Sequence, residues 1–440
     1  MKRFFRKLLL PLCILLVLLG PCGDSQVSAV DRNTYKNLKT FNEVLDMVEK
    51  NYVEDVEAKT LIQGAINGML RSLDPHSAFM TPDMYRELEV ETRGSFGGIG
   101  IEITILKDVL TVVSPIEDTP AFQAGIKAGD QIVKIDGVST KDITIMEAVK
   151  KLRGPKDTKV TITILRENTE NTPLPKDFVI TRADIKIKSV KSKILHDHIA
   201  YIRISSFQER TAEEVKKALQ EIKGKCHPLK GLILDMRYNP GGLYNQAVGV
   251  SDLFLKSGVI VSTKGKAKNL ESRSMAKDDG NEPTCPIIVL VNEGTASAAE
   301  IVSGALQDNG RGLILGTRTF GKGSVQTVIP LEDGSALKLT TSRYYTPQGR
   351  SIQAEGITPD IVVRYSKAPE GKELSGKPIR EQDLAGHIRS LKEESGKKTV
   401  VLEKKESEDL MMEDNQLKTA VDMIKSWEIF NKSKRSALSN

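Results

Sequence analysis

Three short aliphatic runs, at residues 200–204, 232–236 and 287–291, constrain the fold of this chain more than any other feature. The second and third lack polar alternation, the mark of strands buried on both faces. Helical stretches around 211–222, 244–255 and 297–308 fall between or after them. That alternation is the pattern of a sheet covered by helices. A hairpin follows from 325 to 345, turning at Asp333-Gly334. Residues 169–365 are therefore expected to form an α/β domain.

A chain of 440 residues exceeds one ordinary core. The texture elsewhere assigns the remaining parts. Residues 30–93 read as helical, with Leu61, Ile62, Ala65, Ile66, Met69 and Leu70 on one apolar face. From 94 to 168 short strands alternate with two short helices, at 119–126 and 145–152. Residues 366–412 are rich in Lys, Glu, Gly and Ser and read as a flexible linker. A C-terminal helix is expected within 413–440, with Leu417, Ala420, Val421, Ile424 and Trp427 on its apolar face.

Residues 1–29 read as a signal peptide for export to the periplasm or cell envelope. A basic MKRFFRK start precedes an apolar run from 8 to 19 and the small residues Val27-Ser28-Ala29. If retained, that segment would associate the chain with the membrane. It also carries a net +3 of the chain's formal charge of +6, so little basic excess remains for nucleic acid. Cys13 and Cys22 lie in or beside it, which leaves Cys226 and Cys285; an oxidising compartment would permit a disulfide between them. No Cys/His cluster of metal-ligand spacing appears, and no cofactor is implied.

The chemistry concentrates in two segments. In Asn292-Glu293-Gly294-Thr295-Ala296-Ser297, an aliphatic strand ends in a glycine turn and a helix opens near Ser297. A serine so placed suits nucleophilic attack, because free amides and the helix dipole stabilise developing negative charge. It equally suits a plain N-cap. A nucleophile needs a base, and nothing in the surroundings of His76, His196, His198, His227 or His387 marks one. The alternative is Lys322, between Gly321 and Gly323. Lowering a lysine pKa from about 10.4 to about 7–8 costs on the order of 4 kcal/mol, which desolvation can supply. Phe320 and Val325 are candidate apolar walls. Alone, such a lysine also reads as a solvated surface charge.

The combination resembles the carboxyl-terminal processing proteases, serine proteases with a Ser-Lys dyad and an inserted PDZ domain. GTASAAEI at 294–301, FGKGSVQ at 320–326 and DMRYNPGG at 235–242 carry the likeness. It implies Ser297 as nucleophile, Lys322 as general base and Gln326 as the residue that orients the lysine. Oxyanion donors are then expected from Ala298, which follows the nucleophile, and from Gly241 or Gly242 at the end of another strand. Glu300 is expected to be structural, because a carboxylate beside Lys322 would raise its pKa.

Gly94-Ser95-Phe96-Gly97-Gly98-Ile99-Gly100-Ile101 looks like the carboxylate-binding loop of a PDZ domain running into a strand. Gly97, Gly98 and Gly100 would present amides to a peptide terminus, with Ile99 and Ile101 shaping the pocket or simply filling the core. Arg153 stands where the module rejoins the rest of the chain and is a candidate to couple peptide binding to activity through Gln326 or residues near it. The implied partners are flexible C-terminal tails of proteins; homo-oligomerisation through the terminal helices stays open. Two other readings compete: a PDZ adaptor on an inactive scaffold, and a Ser-His hydrolase.

Overall fold

The computed structural model describes residues 32–166, 175–195, 198–266, 271–366, 380–383, 386–387 and 414–438. The segment read as a signal at 1–29, with Cys13 and Cys22, lies outside the described residues, as do His196 and most of the expected linker. The chain divides into two compact units, 1–68 and 69–440. In the first, the helix Arg32–Asn51 leaves Tyr35, Leu38, Val44 and Met47 exposed.

The second unit is built on a six-stranded sheet in the order Val190–Leu195, Ile199–Ile204, Gly231–Asp235, Ile287–Val291, Gly312–Gly316, Ile361–Val362. Its first pair is antiparallel and the others are parallel. Gly231–Asp235 and Ile287–Val291 are buried at every position, which accounts for their unbroken apolar sequences. Helices Thr211–Lys225, Tyr244–Asp252 and Ala298–Asp308 cover one face and form the main core with it.

The opposite face presents Ile199, Ile233, Ile288, Leu290 and Leu315 to the C-terminal helix Asn415–Leu438. Ala420 and Ile424 of that helix are buried there, whereas Trp427, expected on the same face, is 56% exposed. Gly231 makes the approach possible: a Cβ at that position would stand 2.5 Å from Ile424 Cγ2. A polar clamp fixes the start of the helix. The Arg237 guanidinium donates to Asp235 and Asp414, each at 2.7 Å, and to Gln416 Oε1 at 2.9 Å.

A second sheet centres on Ala336–Tyr345, which pairs with Ser324–Pro330, Val259–Gly265 and Ala78–Met80. The inserted module has its own core and a sheet in the order Ile101–Leu106, Val109–Pro115, Gln131–Ile135, Lys159–Leu165, Lys176–Thr181. The sheet thus runs past residue 168, because Lys176–Thr181 brings Ile180 into that core.

Two further expectations meet a different arrangement. Cys226 and Cys285 are both buried free thiols, so no disulfide joins them. Within the expected linker, Glu381 is fully buried and hydrogen-bonded. A segment anchored by polar contacts alone leaves no apolar pattern in the sequence.

Candidate active site

The strand Ile287–Val291 delivers the chain into a turn that is stitched on both sides. Asn292 Oδ1 accepts from the Tyr238 and Gly294 amides at 2.8 and 3.1 Å, and Thr295 Oγ1 donates to Met236 O at 2.9 Å. The Ala296 amide donates to Asn239 O at 2.9 Å. The turn therefore has one allowed path, and at its end Ser297 is held at φ +54° and ψ −115°. A serine with a positive φ costs about 1–3 kcal/mol of backbone strain, and such strain clusters at reacting groups. Ser297 is buried at 7% exposure and caps the helix Ala298–Asp308.

The 239–242 turn packs directly on this serine. A Cβ at Gly241 (φ +99°) would stand 2.7 Å from Ser297 Cβ, so only glycine fits. The Gly241 amide is committed to Asn239 Oδ1 at 2.9 Å. Among the described residues, the amides of Gly242 and Ala298 have no acceptor.

Lys322 lies in a loop with the same economy of space. A Cβ at Gly323 would stand 2.3 Å from the Gln353 amide nitrogen. The Phe320 amide donates to Thr295 O at 3.0 Å, joining the lysine loop to the nucleophile turn. Val325 packs against the main core. Burial pushes the Lys322 amine below its ordinary pKa, as does Lys338, while Glu381, Glu300 and Asp74 oppose the shift. Among the described residues the ammonium has no hydrogen bond or ion pair, and no bond joins it to Ser297 Oγ.

Glu300, read from sequence as structural, ties the two loops together. Its Oε2 accepts from the Ser297 and Lys322 amides at 2.8 and 2.9 Å. Oε1 accepts from the Gly321 amide and Thr319 Oγ1 at 2.8 and 2.5 Å. Burial raises this carboxyl to about 7 against those four hydrogen bonds, which favour the anion. Three of the donors are backbone amides that cannot turn away, so these bonds hold the carboxyl below where burial alone would put it.

Gln326 does not hold the lysine here. Its amide donates to Ser324 Oγ at 2.8 Å and Thr340 Oγ1 at 3.3 Å. Arg153 does not reach Gln326 either: its Nη1 donates to Glu87 Oε2 at 2.6 Å, and its guanidinium lies 4.5 Å from the Phe96 ring centroid. A charge on a module's border is captured by the nearest carboxylate and ring, and sequence position alone does not reveal either. Among the described residues no histidine hydrogen-bonds Ser297.

In the module, Phe96, Gly98, Ile99, Gly100, Ile101, Ile103, Val149, Leu152 and Arg153 line a groove between the strand Ile101–Leu106 and the helix Ile145–Leu152. The Ile99 side chain belongs to the core, at 2% exposure. Gly97 is needed for packing, since a Cβ there would stand 2.2 Å from Gly154 O.

Three family models match the chain: peptidase family S41 over residues 198–363, the PDZ domain over 97–173, and the activating protease CtpB N-terminal domain over 23–84. A carboxy-terminal-processing protease of Bartonella bacilliformis is 47% identical over 369 residues, covering 83% of this chain and 84% of that protein. The chain belongs to the carboxy-terminal processing proteases. It is a serine-type C-terminal processing peptidase carrying a PDZ domain. The carboxy-terminal processing protease CtpA of Bacillus subtilis is 37% identical over 333 residues, or 75% of this protease and 70% of that one. A solved photosystem II D1 C-terminal processing protease is 31% identical over 76% of this chain and 89% of its own, with a TM-score of 0.43. Among the described residues no helix is long and apolar enough to cross a membrane.

Proposed function

We propose that this protease cuts flexible C-terminal tails through a Ser297–Lys322 dyad. The observation that carries the reading is the strained Ser297, pinned through one carboxylate to the loop of a buried, unpartnered lysine. The neutral amine of Lys322 takes the Ser297 Oγ proton as Oγ attacks the peptide carbonyl. The amides of Ala298 and Gly242 stabilise the resulting oxyanion; Gly241 serves by its close approach, its own amide being committed. The lysine ammonium then protonates the leaving amine, and water hydrolyses the acyl-enzyme by the same relay in reverse. The sequence requires Lys322 Nζ to come within hydrogen-bond reach of Ser297 Oγ on substrate binding, with Gln326 released from Ser324 to orient it.

The PDZ groove captures the apolar end of the tail and presents the chain for cleavage. Export rests on the sequence of residues 1–29, and N-terminal sequencing of the mature protein tests whether that segment is removed or holds the protease at a membrane. The exposed apolar stripe of the helix Arg32–Asn51 supports self-association, which sedimentation tests.

The dyad is tested with an unfolded protein ending in apolar residues. Ser297→Ala and Lys322→Ala should each lower kcat by on the order of 10³-fold or more while remaining folded. Full turnover in Lys322→Ala would return the base to a histidine. Binding without cleavage by the natural sequence would make the molecule an adaptor.

A further inference from the structure

The dyad uses a lysine whose loop is braced by a residue from far outside the catalytic domain's sequence. Glu381 is fully buried behind the glycine loop. Its amide donates to Phe320 O at 3.1 Å, and its Oε1 accepts from Gln353 Nε2 at 2.8 Å. Gln353 Oε1 in turn accepts from the Gly323 amide at 2.9 Å. Both carboxylate oxygens stand 2.7 Å from His76 Nε2. Phe320 and Gly323 flank Lys322 in the chain, so Glu381 holds the loop on both sides of the lysine, once directly and once through a single amide.

The bracing continues into a second buried carboxylate. Asp74 accepts from the His76 and Ser77 amides, each at 2.8 Å, and from Thr340 Oγ1 at 3.2 Å. Thr340 also accepts from Gln326. One continuous polar cluster therefore runs from Glu381 through His76 and Asp74 to Gln326.

We propose that Glu381 is a positioning residue for Lys322, fixing the glycine loop on both sides of it and setting a negative charge behind it. The inference rests on the reading of Lys322 as the base. The charged groups facing this amine are Lys338, Glu300, Asp74 and Glu381, with His76 against the last. Burial favours the neutral amine that catalysis needs, and the Glu381 carboxylate opposes it. Glu381 thus raises the pH above which Lys322 is free to accept a proton, while its hydrogen bonds fix the loop that carries the amine.

The test is made on the full chain by labelling Lys322 with limiting acetic anhydride across a pH series, read by peptide mass spectrometry. Proteolysis is followed over the same series. The label reports Lys322 itself, and because Glu300 stays in place in both proteins its effect on the midpoint is common to wild type and variant. In Glu381→Gln the shape is kept and the charge removed, so the labelling midpoint and the acid limb of activity should both fall by about half a pH unit or more. An unchanged midpoint in folded Glu381→Gln overturns the inference and leaves the dyad standing on Lys322→Ala. A midpoint that falls while the acid limb stays put supports the brace and removes Lys322 as the base. Should Glu381→Gln not fold, Glu381→Asp keeps the charge and shortens the reach. It should retain the midpoint and lose turnover by about tenfold, an effect typical of a misplaced catalytic group; unchanged turnover overturns the proposal.

Discussion

The two loops of the proposed dyad, the turn before Ser297 and the loop of Lys322, are built in opposite ways. The turn before Ser297 is fixed by neighbours at the ends of adjacent strands, through backbone amides and the neutral side chains Asn292, Thr295 and Asn239. Its serine holds a definite, strained position, with Glu300 as the titratable group bonded to its amide. The lysine loop leans on residues scattered over three hundred positions of sequence: the ionisable Asp74, His76 and Glu381, and the neutral Gln353. A nucleophile needs only placement, which a sheet end supplies. A lysine base needs placement and a tuned proton affinity, and the second demands charges at chosen distances. Only Glu300 belongs to both constructions.

That makes Glu300 the residue whose loss should collapse the distinction. Glu300→Gln places a donor against fixed amides, and Glu300→Ala leaves those amides buried without an acceptor. Either change should lower kcat by about 10²-fold or more, with a stability loss of roughly 3 kcal/mol, since unsatisfied buried partners are the costly ones. Denaturant unfolding beside initial rates checks both; a variant that kept wild-type kcat would show that the two loops hold themselves. The pH dependence has a definite sign. With its carboxyl raised from 4.5 to about 7, Glu300 contributes stability that is present below its unfolded pKa and lost as pH rises through about 7.

A smaller, more local effect is expected at Gly323. A methyl group there meets the Gln353 backbone, so Gly323→Ala should cost about 2–3 kcal/mol and displace the lysine. Gly349, unlike Gly323, has a positive φ but lies in open space, and Gly349→Ala should cost only about 1 kcal/mol. Equal melting temperatures for the two would mean the lysine loop yields more readily than its contacts suggest. Smallest is the strain at the nucleophile itself. Both Ser297→Ala and Ser297→Gly should be inactive, but the glycine variant should be more stable by about 1 kcal/mol, because glycine accepts φ +54° without penalty. Calorimetry of the pair decides it; a less stable glycine variant would show that the turn is relaxed.

The same contrast explains what could be read from sequence. The buried strands, the turn before Ser297 and the glycines at 241, 242, 321 and 323 are local facts, and each leaves a pattern over a few residues. Glu381 leaves none. It lies among Lys, Glu and Gly residues whose composition says linker, and its partners His76 and Gln353 are far away in the chain. The partners of Arg153 are illegible for a related reason: charge and position do not specify that Glu87 and the Phe96 ring hold its guanidinium. Trp427 continues the apolar face of Ala420 and Ile424 in the sequence but is exposed, because helical spacing does not say how far along the helix that face stays covered.

The notch at Gly231 gives the C-terminal helix a second meaning. By admitting Ile424 so closely, it makes that helix the lid over one whole face of the catalytic sheet. A chain severed anywhere between residues 388 and 413 would retain every group of the dyad and its braces. It would also bare Ile199, Ile233, Ile288, Leu290 and Leu315 as a continuous sticky plate. An enzyme that lives by cutting loose ends would thus fail, when its own end is cut, by precipitating before its chemistry was touched.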